Sequence, residues 1–576
     1  MPLLAYIIIL PVIAAALCLM FKRAAAALAF VMSVDALFMA FSLFTGGRQE
    51  LPLLSLQAYP LNSGIYLVAA LIVLLTVLYS LKFIGRHERL GEYYGYLMLA
   101  LAATAGALFA EEFLMFFLFW GVMGLALYLL IGIGGKKAAG AAQKTLIILG
   151  GSDLLMVAGA GLVWIMTGRM EMGGTLLAVN NPLALAAFLL LLAGAFAKAG
   201  VMPFHSWIPA AAEGAPTPVM ALLPAALDKL VGVYLIVRIS LDIFLITPGG
   251  TASLILLAVG SFTIIAAVLG ALLQHDLKKL LSFHAISQVG YMVVGIGTGL
   301  PVGVAGAIFH MFNNALYKSA LFFCSGSVER QTGTTEMKKL GGLGQKMPLT
   351  FAAALIASLS ISGVPPFNGF VSKWLIYQGI IEGGQANQLW IIWLMAAMLG
   401  SAFTLASFVK LLHATFLGQG AELTAKAREV EWPMWLPPII LAALCVIFGV
   451  FAYQLPLRYL ILPAFARFII PGIWDPGLAT SMLGVGLALG LLIYLLGNVR
   501  SVTQRPAFYG GEILPEETIK VTGDDFYDTV KRIRPLEQIF KIAERKVFDL
   551  YEVSRVVVGG AAKIASRIEE KIWPMF

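Results

Sequence analysis

Lysines stand in this sequence where a membrane protein can least easily hold them. Lys198, Lys229, Lys318 and Lys373 each fall inside an apolar run, and so do Asp228, His284, His310, Asp153 and Lys144. A charged side chain at bilayer depth costs roughly 2.5–3.5 kcal/mol on insertion scales, so such groups line polar paths or pair with one another. His310 and Lys318 are eight residues apart (318 − 310), two turns on one helix face, with Asn313 and Asn314 between them. A desolvated ammonium releases its proton more readily than one in water. Several of them joined by His, Asn and water make a proton relay. The alternative is a set of buried ion pairs that only hold helices together. Four separate spans with near-central lysines, two of them broken, favour transport. Asp35 and Lys410 read as structural or snorkelling groups, and Glu111 and Glu112 as exposed interfacial carboxylates.

The two broken spans echo each other. Gly200-Val201-Met202-Pro203-Phe204 returns as Gly363-Val364-Pro365-Pro366-Phe367, an offset of 163 (363 − 200). Gly with Pro203, or with Pro365 and Pro366, interrupts a helix at membrane depth. That is tolerated only where protein or water satisfies the freed backbone. Paired broken helices in two halves point to a transporter built from inverted repeats. Lys198 lies just before the first break and Lys373 just after the second.

The elements that must position these residues are membrane helices. Of 576 residues, 60% are hydrophobic and only 12% charged, with 59 glycines. That is about half the charge of a soluble domain, which excludes one. Fifteen stretches reach the ~20 residues needed to span hydrocarbon: 3–21, 24–46, 65–84, 93–110, 112–132, 142–167, 181–202, 217–240, 251–273, 280–298, 302–326, 349–381, 389–416, 434–453 and 479–498. Lys22 and Arg23 follow the first stretch rather than precede it, so it reads as a span and not a cleaved leader. The fold class expected is all-α and polytopic, with 14–15 transmembrane helices. The organisation expected is N-terminal helices over 1–92, a first repeat over 93–250, a second over 251–420, further helices over 421–500 and a tail over 501–576.

Loops after odd-numbered spans carry fifteen Lys and Arg, and loops after even-numbered spans five. The basic excess places odd loops and the C-terminus in the cytoplasm and the N-terminus outside. The net charge of +8 is thus membrane orientation rather than nucleic-acid binding. The last 76 residues hold twelve basic and twelve acidic groups. From Phe526 on, Ile533, Leu536, Ile539, Phe540, Ala543, Val547, Leu550 and Tyr551 recur at three and four, which predicts an amphipathic helix along the membrane surface or along partner subunits, its balanced charge favouring partners. Cys18, Cys324 and Cys445 stand far apart in apolar runs and give no metal spacing. The glycines at 132, 134 and 135 follow no strand and cradle no phosphate. No cofactor is expected in the chain.

Phe196 to Pro209 followed by Glu213 to Ala221, Gln274 to Lys279 with Ser287 to Met292, His310 to Lys318, and Gly363 to Lys373 together resemble signatures of the antiporter-like, Mrp-type membrane subunits. These occur in respiratory complex I, in multisubunit cation/proton antiporters and in energy-converting membrane-bound hydrogenases. The resemblance covers about residues 60–420 in order. It implies two inverted five-helix units with broken helices and one proton pathway. It gives Lys198 the place of the first-half lysine, Lys318 the central lysine, Lys373 the terminal residue of the second half, His310 a relay histidine and Asp153 a family aspartate. The sequence departs from the pattern where Gly121 replaces the fifth-span glutamate, Pro224 an eighth-span histidine and Asn314 the second central histidine; Lys229 is one position from a family lysine. The first-half gate is therefore altered. The tail, with Tyr509 to Glu512 and Asp525 to Tyr527, is similar to those of the hydrogenase-like branch, as is His284, and would be a short lateral helix.

The expected function is a proton-translocating subunit of a redox-driven ion pump in a prokaryotic cell membrane. Its expected partners are sibling antiporter-like membrane subunits, peripheral iron–sulfur or NiFe hydrogenase-like subunits, and lipid. Two other readings stay open. One is a subunit of a Na+/H+ antiporter or inorganic-carbon uptake system without redox partners. The other is a non-conducting scaffold, because of Gly121.

Overall fold

Backbone in hydrocarbon can satisfy its hydrogen bonds only within a helix or a closed barrel, and each of the fifteen apolar stretches is a helix or a helix pair. The computed structural model describes residues 3–465 apart from 86, 175 and 387, then 476–496 and 549–572, with isolated positions at 534, 537, 538 and 541. The order is α1 (Leu3–Met20), α2 (Ala25–Thr45), α3 (Pro60–Phe83), α4 (Leu90–Phe109), α5 (Phe113–Gly132), α6 (Lys136–Thr167), α7 (Pro182–Ala199), α8 (Trp207–Gly214), α9 (Thr217–Leu222) and α10 (Asp228–Arg238). There follow α11 (Thr251–Leu272), α12 (Leu277–Gly297), α13 (Pro301–Thr332), α14 (Pro348–Ser362), α15 (Asn368–Glu382), α16 (Trp390–Leu412), α17 (Trp432–Val450), α18 (Pro476–Leu496) and α19 (Leu550–Ile572). Eleven passes among the described residues are long and apolar enough to cross a membrane. The helices α4, α13 and α18 and the α14–α15 pair supply the other four.

Burial sorts these passes. The window of the pass over 217–243 is wholly buried and that of α12 is 94% buried, against 39% for α6 and 28% for α16. The spans that carry ionisable groups are thus mostly the inner ones, surrounded by protein. The outer helices show large apolar side chains such as Leu154, Ile165 and Met395 on their free faces. Inner helices approach closely where small residues allow it. A Cβ on Gly290 would stand 2.7 Å from the carbonyl oxygen of Gly260, and one on Gly260 would stand 2.9 Å from that of Gly290, which locks α11 against α12.

Both expected breaks are present and are built alike. Asn181 caps α7, its Oδ1 accepting from the Ala184 N–H at 2.8 Å, with Pro182 in the first turn. The helix ends at Gly200, whose φ of +83° is left-handed; α14 ends at Gly363 with φ +82°. Glycine adopts this conformation without a Cβ clash. The Met202–Pro203 and Pro365–Pro366 peptide bonds are both cis. After the first break the chain resumes as α8, after the second as α15. The pass formed by α9 and α10 is interrupted by a π-helical turn at Leu223–Leu227, where Pro224 has no N–H to give. Two short strand pairs, Gln49–Leu51 with Leu56–Ala58 and Leu177–Ala178 with Phe244–Leu245, lie in the loops.

Of the expected tail helix, Ile533, Leu536, Ile539, Phe540, Ala543 and Val547 lie outside the described residues, as do Tyr509 to Glu512 and Asp525 to Tyr527. Lys541 pairs with Glu537 one turn away at 2.6 Å. The described part, α19, carries Glu552, Arg555, Lys563, Arg567, Glu569, Glu570 and Lys571, too many charges for a span.

Candidate functional site

Each of the two breaks leaves carbonyls at a helix C-terminus without intrahelical partners, and that end carries the negative pole of the helix dipole. A cation meets both. Lys229, fully buried at the start of α10, donates its Nζ to the carbonyl of Ala199 at 2.6 Å. Lys373, 2% exposed on α15, donates to Ile361 at 2.9 Å and to Ser362 at 3.4 Å. Its ammonium also sits 4.7 Å from the Tyr291 ring centre.

Lys198, one residue before the end of α7, turns the other way. Its Nζ donates to the Trp120 carbonyl at 2.8 Å and lies 4.3 Å over the Trp120 ring, a cation–π contact of the stronger, desolvated kind. The indole N–H of Trp120 donates to Asp153 at 2.7 Å. Asp153 and Asp228 are the carboxylates whose charge reaches Lys198. Asp228 is fully buried, and neither of its oxygens has a hydrogen-bond partner among the described residues.

Lys318 is fully buried on α13 and donates to the Leu281 carbonyl at 2.9 Å. Phe408 lies beneath it, 5.5 Å from Nζ to ring centre, and packs against His284 in a tilted arrangement with ring centres 4.7 Å apart. Both ring nitrogens of His284 lack partners among the described residues. His310 is better held: Nδ1 is 2.8 Å from Ser372 Oγ, and Nε2 is 3.0 Å from Gln288 Oε1 and 3.3 Å from Tyr317 OH. Asn313 donates to the Asn368 carbonyl at 2.9 Å, at the head of α15. Asn314 donates to Ala225 at 3.0 Å, which ties α13 to the π turn that precedes Asp228. A cavity of about 210 Å³ adjoins Lys373, lined also by Ser362, Trp374, Tyr377, Met398 and Ser401.

None of these four lysines has a carboxylate within ion-pair distance among the described residues; each takes backbone oxygen instead. Asp153, Lys198, Asp228 and Lys229 form one group, and His284, His310, Lys318 and Lys373 a second, with Asn314 at the seam. Lys144 stands apart from both. It pairs with Asp549 of the tail at 2.6 Å and lies 5.3 Å from the Tyr551 ring. Asp549 also accepts from Ser206 at 2.7 Å, at the first break. Burial alone would lift this carboxyl, but the bonds from Lys144 and Ser206 hold it below the usual aspartate range.

Of the two roles open to Lys410, the structure shows the structural one: it is 1% exposed and donates to the Leu272 and Gln274 carbonyls at 3.1 and 2.9 Å, capping α11. One expected assignment changes. Glu111 is not a free interfacial carboxylate. It holds the buried guanidinium of Arg238 at 3.0 Å, with Asp242, Tyr59 and Tyr234 around the same group. Gly121 faces open space: a Cβ there would meet no described atom within 4 Å, whereas a Cβ on Gly124 would lie 3.8 Å from Lys198 Nζ. Ser372, Gln288, Tyr291 and Tyr317 lie inside the stretches that carry the resemblance and Trp120 beside Gly121, but the sequence assigns none of them a role. Gln288 stands one turn beyond His284 and Ser372 beside Lys373, but neutral polar residues in an apolar run carry no signal of their own.

Buried lysines at paired helix breaks in an all-α polytopic fold define an antiporter-like membrane subunit. Residues 110–404 match the family described as NADH:quinone oxidoreductase/Mrp antiporter, TM, and the chain belongs to it. Na(+)/H(+) antiporter subunit A1 of Staphylococcus haemolyticus is 37% identical over 409 residues, which is 66% of this chain and 50% of the relative. The same-named subunit of Staphylococcus aureus strain Newman is 33% identical over 519 residues, 84% of this chain and 63% of the relative. The chain thus spans about half the length of the first of these. Among solved structures, a chain of the membrane-bound sulfane sulfur reductase, an archaeal respiratory membrane complex, superposes with a TM-score of 0.82 at 25% identity over 98% of this chain and 95% of that one. A chain of the Mrp complex from Dietzia gives 0.73 at 22% identity, covering 83% and 98%, and one of respiratory complex I from Thermus thermophilus gives 0.69 at 21%, covering 84% and 100%.

Proposed function

We propose that this chain carries protons across a prokaryotic cell membrane as one subunit of a redox-driven complex. The observation that carries the transport reading is the set of four buried lysines whose ammonium groups are held by backbone carbonyls and aromatic faces rather than by carboxylates. An ammonium neutralised by a buried ion pair is locked in its charged form. One held by dipoles can be charged or neutral as the field around it changes, which a relay requires. In this reading Lys198, Asp228 and Lys229 form the first-half group. His310 hands over between Gln288 and Ser372 towards Lys373, and Lys318 with His284 stands between. No redox chemistry is assigned to the chain; electron transfer belongs to peripheral iron–sulfur partners. The near-complete mutual coverage with the respiratory-complex chain supports the redox-driven form.

A second reading has its own support: the named relatives at 33–37% identity are Na+/H+ antiporter subunits. The test is ion uptake into proteoliposomes that hold the intact native complex, with wild type and Lys318→Ala compared. Loss of uptake in the variant is the expected result. Uptake at the wild-type rate would overturn transport and leave a scaffold. Uptake driven by an electron donor, with iron in the purified complex, supports the redox form. Sodium-gradient-driven proton movement without any donor supports the antiporter.

A further inference from the structure

The two carboxylates of the first-half group are held differently. Asp153 accepts from the Trp120 indole N–H at 2.7 Å. Asp228 is fully buried in a pass that is itself enclosed by protein, and neither of its oxygens takes a hydrogen bond among the described residues. A carboxylate buried without a donor is costly, and a native group left this way calls for a functional reason.

Its place on α10 decides which donors can reach it. Asp228 and Gly232 are four residues apart (232 − 228), one turn on one helix face. That face meets the end of α7: a Cβ on Gly232 would stand 2.8 Å from the Ala199 nitrogen. Asp228 therefore lies about 6 Å along α10 from the point where the two helices touch. Lys198 immediately precedes Ala199, and Lys229 immediately follows Asp228. The charge of Asp228 accordingly acts on both lysines. One carboxylate is thus shared by two amines, and each amine is turned to a backbone oxygen instead, Lys198 to Trp120 and Lys229 to Ala199. Both lysine side chains are long enough to turn back to it.

We propose that Asp228 carries the proton between Lys198 and Lys229. The inference rests on the proton-carrying reading above and gives this residue its own step. Lys198 swings from the Trp120 carbonyl to Asp228; an N–H bond of its ammonium breaks as an O–H bond forms on the carboxylate. The neutral amine of Lys229 then swings in; that O–H bond breaks as an N–H bond forms. The net change is one proton moved from Lys198 to Lys229. The three groups sum to zero charge throughout: ammonium with carboxylate, then three neutral groups, then carboxylate with ammonium. No step sets two unbalanced cations side by side at low dielectric, where like charges repel most strongly.

The test uses the intact complex and two readouts. Asp228→Asn keeps the shape of the side chain and loses its exchangeable carboxyl proton. Proton uptake in proteoliposomes is expected to fall about tenfold in this variant, and uptake at the wild-type rate overturns the inference. Infrared difference spectra between resting and pumping complex separate proton carrying from mere charge balance. A carrier gives the C=O band of a protonated carboxyl during turnover, and the band is missing in Asp228→Asn. No such band, or the same band in both proteins, means that Asp228 stays ionised as a fixed counter-charge, which overturns the inference. If Asp228→Asn fails to assemble, Asp228→Glu decides: a shifted band belongs to residue 228 and supports the inference, and an unshifted one overturns it. Lys318→Ala keeps the two claims apart. Lost uptake there with normal uptake in Asp228→Asn sinks the carrier role alone, whereas normal uptake in Lys318→Ala sinks the transport reading itself.

Discussion

The first break, at Gly200 to Ser206, and the second, at Gly363 to Phe367, differ in where their cation comes from. At the first, Lys229 reaches across from α10, so the cap joins two separate passes. At the second, Lys373 belongs to the helix that resumes after the break, so the cap is made within one pass. The offset of 163 pairs Lys198 with Ile361 and Lys373 with Ala210, so neither lysine has a counterpart in the other half. The first half also places two carboxylates, Asp153 and Asp228, near its ammonium groups. The second has neutral partners, Ser372, Gln288 and Tyr291, and a cavity beside Lys373. A repeated backbone solution thus carries unlike chemistry: a charge-balanced cluster in one half, and in the other a hydrogen-bonded line that ends at open volume.

The largest effect expected from this contrast is on transport. Lys373→Met should lower proton uptake by about a hundredfold, because the second half has no other ammonium at its break; Lys229→Met should lower it about tenfold, because Lys198 remains. These figures correspond to about 2.7 and 1.4 kcal/mol. Equal losses, measured as initial uptake rates at matched protein, would show that the two caps are equivalent after all.

Next comes stability. Alanine in a left-handed conformation costs roughly 1–2 kcal/mol. A Cβ on Gly363 would meet Lys373 Cδ at 3.0 Å, the flexible part of a long side chain, whereas one on Gly200 would meet Ile208 Cδ1 at 2.2 Å. Overpacking adds about 1–3 kcal/mol. Gly200→Ala should therefore lower the thermal midpoint of the purified complex clearly more than Gly363→Ala. The reverse order would mean that the second break is the tighter one.

Gly121→Glu meets no steric obstacle, but a carboxylate on an open face of a membrane span costs roughly 2.5–3.5 kcal/mol on insertion scales, so the thermal midpoint of the complex should fall. A further effect is expected on the ratio of ions moved per turnover, and an unchanged ratio would show that the first half works without a fifth-span carboxylate. The smallest effect near neutral pH concerns the tail. The Asp549 carboxyl is held below its ordinary value, so the docking it provides is fully present above the usual aspartate pKa of about 3.9 and is lost as pH falls through the lower, folded-state value. Protease susceptibility of the tail should stay flat from about pH 5 to 8; a rise within that window would show that another group controls docking.

Much of this was legible in the sequence, for physical reasons. Spans read out because hydrocarbon demands long apolar runs, and all fifteen are present as helices or helix pairs. The breaks read out because Gly with Pro cannot continue a helix. The lysines read out because charge in an apolar run is conspicuous. What stayed hidden was the partner of each charge. A backbone carbonyl has no letter in the sequence, so nothing marked Ala199, Ile361, Leu281 or Trp120 as the groups that hold an ammonium. Lys410 stayed open between a structural and a snorkelling role for the same reason, since its partners are the carbonyls of Leu272 and Gln274. Glu111 was misread because its partner, Arg238, lies 127 residues away. Lys144 looked like a member of the relay because depth in a span does not tell which neighbour a side chain meets.

The lysine caps at the two helix ends have a mechanical consequence. An ammonium on a backbone carbonyl is a charge-assisted contact, about twice as strong as a neutral one. When Lys229 or Lys373 gives up its proton, the amine keeps a hydrogen bond but the end of α7 or α14 loses its counter-charge. Proton occupancy and the stiffness of the break are then two readings of one coordinate. Pulling the helix end away from its lysine must loosen the proton, and removing the proton must loosen the helix end. A neighbour that strains either break would therefore act on proton affinity through the scaffold itself, with force taking the place of an electrical signal.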